Sequence, residues 1–225
     1  MKKNMAFIFD MDGVVIGNTQ LWEKEDRKFL TSLFGETILK KIGITRGKTI
    51  DTIYDEAVLL GFTMPKDAYH SLYDKHAISM YAHSQITEGI EILAQNLLSI
   101  GFVLGLVTSA RKTWLDVVLP RITFKSNLSF ILSMNEHLHL KSKPSGDMYK
   151  MAIKNLHATP QTTIILEDSN VGIQAAKEAH AYTIGFQAHI GKNYHQEGAD
   201  AYAISTDAVF RLAKKFVQEI HATST

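Results

Sequence analysis

The 225-residue chain contains no cysteine. That excludes disulfide frameworks, thiolate nucleophiles and cysteine-ligated metal centres. No stretch approaches the roughly 18 apolar residues that a membrane-spanning helix requires. Neither sign of charge dominates. Against 23 acidic side chains stand 24 basic ones, and a net charge of +1 sets up no strong field toward nucleic acid or an anionic membrane. Internal repeats and low-complexity tracts are missing too. The stretch from Met1 to Asp10 has two lysines, but Asp10 and Asp12 cut its apolar run too short for a signal peptide. These absences leave a soluble, cytoplasmic globular protein as the expectation. Its 45% hydrophobic and 21% charged residues are ordinary for that class. The length suits one large domain, or a core domain with a smaller insert.

What the chain does have is a rhythm. Strands are predicted at Ala6–Phe9, Phe102–Val107, Phe130–Ser133, Thr163–Leu166 and Tyr182–Gly185, with a weaker one at Ala201–Ile204. Helical spacing fills Glu88–Ile100, Lys112–Leu119, Ser145–Leu156, Val171–Ala179 and Asp207–His221. This alternation predicts an α/β fold: a Rossmann-like, three-layer core with a parallel sheet between helices. The stretch "FIFDMDGVV", residues 7–15, is apolar throughout and then turns acidic. It reads as a central strand covered on both faces and ending at a site.

From Thr19 to Met80 the rhythm breaks. Helices are predicted at Leu21–Phe34, Glu36–Lys41, Thr49–Leu60 and Lys66–Tyr81, with no convincing strand. About 60 helical residues between two strands is too long for one crossover. An inserted all-helical cap domain is therefore expected at residues 18–82, with the core formed by 1–17 and 83–225.

Ligands of open parallel sheets bind at the carboxyl ends of the strands. Four polar clusters are predicted there: Asp10 with Asp12, Thr108 with Ser109, Lys143 before Pro144, and Glu167–Asp168–Ser169. Taken singly they are a solvated turn, a helix cap, a surface lysine and another capping sequence. Together they match phosphoryl transfer. Carboxylates from two strands can hold Mg²⁺, which favours oxygen ligands. One aspartate can attack phosphorus, and a second carboxyl can move the protons. A lysine, a hydroxyl and N–H groups at a helix start can hold phosphate oxygens.

In that order and at those spacings, "DMDGVV", "GLVTS", "KPSGDMY" and "LEDSNVGIQAAKEA" resemble the four motifs of the haloacid dehalogenase superfamily. The helical stretch after the first strand resembles the capped branch that contains β-phosphoglucomutase-like and phosphoglycolate-phosphatase-like enzymes. The resemblance implies Asp10 as nucleophile and Asp12 as general acid and base. It implies Thr108, Ser109 and Lys143 as phosphate binders. Mg²⁺ would be held by Asp10, the Asp12 carbonyl and Asp168, with Glu167 ligating directly or through water. "IGITRGKT" resembles the cap loop that enters the site, so Arg46 is a substrate-binding candidate, and Trp22 on the first cap helix is another. The expected partner is a small phosphorylated metabolite, with neither nucleic acid nor membrane, and the chain is expected to be a monomer or a weak homodimer.

Departures from the pattern bear on substrate choice more than on chemistry. Trp22 stands where the mutases have a histidine, and Gly17 where an aspartate is common. Gly146 replaces a proline, which is expected to loosen the turn. His180 replaces a glycine at a helix end and reads as a C-cap. A Mg²⁺-dependent phosphatase acting on a sugar phosphate or similar metabolite is the favoured reading. The alternative is a β-phosphoglucomutase-like phosphosugar mutase. A non-catalytic binding relative fits poorly with intact Asp10, Asp12, Lys143 and Asp168. His137 and His139 read as an exposed loop, since no third ligand is evident.

Overall fold

Strands β1 (Asn4–Phe9), β2 (Phe102–Thr108), β3 (Leu128–Ser133), β4 (Ala158–Glu167), β5 (Tyr182–Phe186) and β6 (Ala201–Ala203) form one sheet. Their order is β3-β2-β1-β4-β5-β6, and every neighbouring pair is parallel. The computed structural model describes residues 3–17, 19–45, 48–134, 140–191 and 194–223. The helices are α1 (Thr19–Ile42), α2 (Ile50–Leu59), α3 (Lys66–His83), α4 (Ile90–Ser99), α5 (Lys112–Val118), α6 (Asp147–Asn155), α7 (Asn170–Glu178) and α8 (Thr206–Thr223). Among the described residues no helix is long and apolar enough to cross a membrane.

The apolar first strand is explained by burial on both faces. Ala6 and Ile8 pack into one core with Tyr149 and Ala152 of α6 and Ala175 and Ala176 of α7. Phe7 and Phe9 pack into the other with Leu93 and Leu97 of α4 and Val209 and Ala213 of α8. With no solvated face there is no polar residue to alternate.

Two differences from expectation have local causes. β4 begins at Ala158 rather than Thr163, because its first half is bulged against β1: Asn4 pairs with Ala158, but Ala6 pairs with Thr163. A bulge inserts residues and hides a strand from a periodic reading. The turn at Gly146 is tight, not loose. Its N–H donates to Glu178 Oε2 at 3.0 Å, and an added Cβ would lie 2.9 Å from Ala179 N and 3.0 Å from Ala175 O. His180 is left-handed as expected, with φ 58°, at the end of α7.

Helices α1, α2 and α3 are inserted between β1 and β2, ahead of α4. Gly35 (φ 78°, ψ 157°) breaks α1 into the two segments read from the sequence. Phe34, Phe62, Tyr54, Tyr69 and Tyr73 pack edge-on, tilted and stacked into an aromatic centre for this insert. The chain leaves and re-enters the core side by side. Gly17 N–H donates to Gln85 O at 2.8 Å, and Thr87 N–H donates to Val15 O at 2.9 Å. Farther out, Asp74 of α3 accepts from Arg111 Nη1 at 3.0 Å and from Trp114 Nε1 at 2.8 Å, which ties the insert to α5.

Gly146→Ala should lower stability by about 1–3 kcal/mol, because backbone atoms of α7 cannot move aside cheaply. Urea unfolding of the two proteins measures it, and an unchanged midpoint would show that the α6–α7 contact yields.

Candidate active site

The sheet register sets the site. Asp10 N–H donates to Leu166 O at 3.0 Å, extending the β1–β4 ladder by one residue. Asp10 therefore emerges beside Glu167 and Asp168. Oxygens of these three carboxylates lie within 4.8 Å of one another, and all three residues are buried. Lys143, from the segment before α6, reaches into them. Its Nζ lies 2.5 Å from Asp10 Oδ1 and 2.5 Å from Glu167 Oε1.

Glu167 is the most enclosed member, with no solvent exposure. Tyr149 of α6 donates to its Oε1 at 2.6 Å. Its Oε2 accepts from Asp168 N–H at 3.1 Å, Ser169 N–H at 3.3 Å and Ser169 Oγ at 3.2 Å. Ser169 in turn caps α7, accepting from Gly172 N–H at 3.0 Å. Two glycines make room for the acids. A Cβ on Gly172 would lie 1.9 Å from Glu167 Oε1, and one on Gly13 (φ 75°) would lie 2.0 Å from Asp168 Oδ2.

The electrostatics follow from burial. Desolvation pushes the Asp10 carboxyl well above the usual carboxylate range; Lys143 opposes this, while Glu167, Asp12 and Asp168 add to it. Burial also works against the Lys143 ammonium, but Asp10 and Glu167 more than offset it and hold the group charged. Asp12 is partly buried, and desolvation raises it to about 6. A hydrogen bond from Tyr81, the charge of Lys143 and a hydrogen bond from Thr108 pull the other way. Thr108 Oγ1 accepts from Ala110 N–H at 3.0 Å, which fixes the turn after β2.

The haloacid dehalogenase-like hydrolase profile matches residues 7–186, most of the chain. The chain belongs to that family. Similar proteins include validoxylamine A 7'-phosphate phosphatase of Streptomyces hygroscopicus subsp. limoneus, 25% identical over 79% of this chain and 83% of that protein. Hexitol phosphatase B of Escherichia coli (strain K12) is 24% identical over 84% of this chain and 86% of that protein. A HAD hydrolase of family IA, variant 3, from Entamoeba histolytica shares the fold, with a TM-score of 0.74 at 20% identity over 95% of this chain and 99% of that one.

This haloacid dehalogenase-like hydrolase brings Asp10, Asp12, Thr108, Lys143, Glu167 and Asp168 together at the ends of β1, β2 and β4. Ser109 follows Thr108 with its side chain exposed. Trp22 lies on α1, donates from Nε1 to Ser84 Oγ at 3.2 Å and packs its ring on Tyr81 at 4.8 Å. Arg46, His137 and His139 lie outside the described residues.

Three contributors escaped the sequence reading. Tyr81 had a trace, since Tyr69, Tyr73, Ala77 and Tyr81 recur every four residues on one buried face of α3. Tyr149 looks like any aromatic in an amphipathic helix. Gln196 donates to Asp168 O at 2.5 Å and to Phe186 O at 3.0 Å from a loop with no distinguishing pattern.

The acidic cluster fits a small hard cation. Its donors are all oxygens, and one ammonium among three carboxylates leaves it net negative. A cleft of about 550 Å³ lies elsewhere, at the amino ends of β1 and β4, lined by Lys3, Lys150, Lys154 and His157. Lys154 and His157 sit at the end of α6, where the helix dipole already favours positive charge.

Tyr149→Phe removes a hydrogen bond to a buried carboxylate, worth about 1.5–3 kcal/mol. Urea unfolding should show a loss of that size with native circular dichroism. Undiminished stability would mean that Glu167 is satisfied without the phenol.

Proposed function

We propose that this phosphoric monoester hydrolase is a Mg²⁺-dependent phosphatase. Its substrate is a small phosphorylated metabolite, a sugar phosphate or similar, and its intermediate is phospho-Asp10. The observation that carries the reading is the meeting of Asp10, Asp12, Lys143 and Asp168 at adjacent strand ends, with buried Asp10 beside a fixed ammonium.

The chemistry divides between two aspartates. An Asp10 oxygen bonds to phosphorus as the bond to the leaving oxygen breaks, and the Asp12 carboxyl gives that oxygen its proton. Asp12, now a carboxylate, takes a proton from water as the water oxygen bonds to phosphorus. The Asp10–phosphorus bond breaks, and phosphate leaves. Lys143, the Thr108 hydroxyl and the Ser109 N–H hold phosphate oxygens where charge develops. Asp10, the Asp12 carbonyl and Asp168 would hold Mg²⁺, with Glu167 ligating directly or through water; the ion supplies neutralisation of phosphate charge.

Residues 18–82 act as a cap that supplies substrate contacts and excludes water. The similarity to a hexitol phosphatase supports a hydroxyl-rich leaving group. Trp22 favours the phosphatase over the mutase. An indole has one N–H donor and no acceptor, and here that donor goes to Ser84.

Asp10→Asn should fold normally and release no phosphate from p-nitrophenyl phosphate or from a panel of sugar and polyol phosphates. Monoester hydrolysis is so slow unaided, with enzymatic accelerations up to about 10²¹-fold, that loss of the nucleophile takes turnover below detection. A near-normal rate in a clean preparation would sink the assignment.

The ion is tested separately. EDTA should abolish activity and added Mg²⁺ restore it. Mg²⁺ should also raise the melting temperature of the wild type, and raise that of Asp168→Ala less. Full turnover in EDTA would count against a metal-dependent site.

A further inference from the structure

We propose that Gln196, in the segment between β5 and β6, is a positioning residue that holds the Asp168 turn in place for a divalent cation. This rests on the reading of Asp10, the Asp12 carbonyl and Asp168 as cation ligands. Asp168 stands where β4 has left the sheet. The last pair of the β4–β5 ladder is Glu167 with Gly185, so Asp168 and Phe186 are the first residues beyond it. Phe186 stays in the sheet through its pairing with Ala203. Asp168 has no such strand pairing and depends on another hold.

Gln196 supplies it. A carboxamide nitrogen carries two N–H groups, and here both are used. Nε2 donates to Asp168 O at 2.5 Å and to Phe186 O at 3.0 Å, so one side chain ties the departing strand end to the anchored one. The reverse orientation would set an oxygen against two carbonyl oxygens. Gln196 is 3% exposed, and its Oε1 has no hydrogen-bond partner among the described residues. Burying an unpaired polar atom costs about 1–3 kcal/mol, and an apolar side chain would fill the space without that cost. What the apolar side chain lacks is the pair of donors.

The backbone that carries Gln196 is clipped to the same turn. Asn170 Nδ2 donates to His195 O at 2.9 Å, and Asn170 Oδ1 accepts from Glu197 N–H at 3.0 Å, so one side chain grips both neighbours of Gln196. The Tyr194 hydroxyl accepts from Asn170 N–H at 2.7 Å. On the opposite side of the turn, Asp168 N–H donates to Glu167 Oε2 at 3.1 Å. Both backbone polar groups of Asp168 are thus held by buried side chains, and its carboxyl group leaves from a fixed backbone. Mg²⁺ demands near-ideal octahedral geometry at about 2.0–2.1 Å, so a ligand already set by hydrogen bonds binds it with less ordering. Partners that orient metal ligands are worth about 10–100-fold in affinity.

The test is titration calorimetry of Mg²⁺ into the purified protein, with phosphate release measured in parallel. Gln196→Met keeps the length and loses the donors. It should weaken Mg²⁺ binding about 10-fold, the lower end of that range. Its kcat at saturating Mg²⁺ should stay near that of the wild type, because the ligands themselves are intact. Gln196→Asn keeps an amide one methylene shorter, should fall between the two, and carries the test where Gln196→Met does not fold. Val209→Ala opens a cavity at a buried position of α8 and controls for lost stability. It should bind Mg²⁺ as the wild type does. Unchanged affinity in every folded Gln196 variant, an equal loss in Val209→Ala, or a kcat that stays low at saturating Mg²⁺ overturns the positioning role and leaves the cation site standing. A wild type that takes up no Mg²⁺ overturns the cation site, and this role with it.

Discussion

Three carboxylates buried within a few ångströms repel one another, and the Lys143 ammonium lets Asp10, Glu167 and Asp168 occupy adjacent strand ends. Taking each charge out of water costs several kcal/mol even after relaxation. The cost is offset most fully at Glu167, where both carboxylate oxygens have donors. Glu167 alone accepts from Lys143, Tyr149, two backbone N–H groups and a serine hydroxyl. Much of the core is organised around this requirement. α6 delivers Tyr149, and α7 begins on Ser169 beneath Glu167. Gly13 and Gly172 are absent side chains, and the acids occupy the space they leave.

The same cluster explains what was legible in the sequence. A strand covered on both faces has no polar side, so β1 appeared as an apolar run with an acidic end. Strand ends in a parallel sheet converge, so Asp10, Thr108 and Asp168 could be grouped before any contact was known. The break in α1 between Phe34 and Glu36 and the left-handed His180 were legible as well. The first half of β4 did not, because its bulge against β1 destroys the period of two.

Tyr81 and Gln196 were hidden for another reason. Their roles depend on which helix face meets the core and on where a loop folds back, and neighbours in sequence do not encode either. Trp22 shows the limit from the other side. Its position on the first inserted helix was plain, yet its ring lies on Tyr81 and its N–H on Ser84.

The paired crossings between core and insert have a consequence of their own. Because Val15–Gly17 and Gln85–Thr87 run side by side and hydrogen-bond to each other, the sheet registers only a closed hairpin at that point. The cost of closing a loop grows slowly with its length, by about 0.6 kcal/mol per doubling. The core is thus nearly indifferent to how much chain lies beyond the crossing. On the proposed function, reaction chemistry and substrate choice would be separable inheritances: a lineage could exchange, enlarge or trim the helical part while the carboxyl cluster is passed on unchanged.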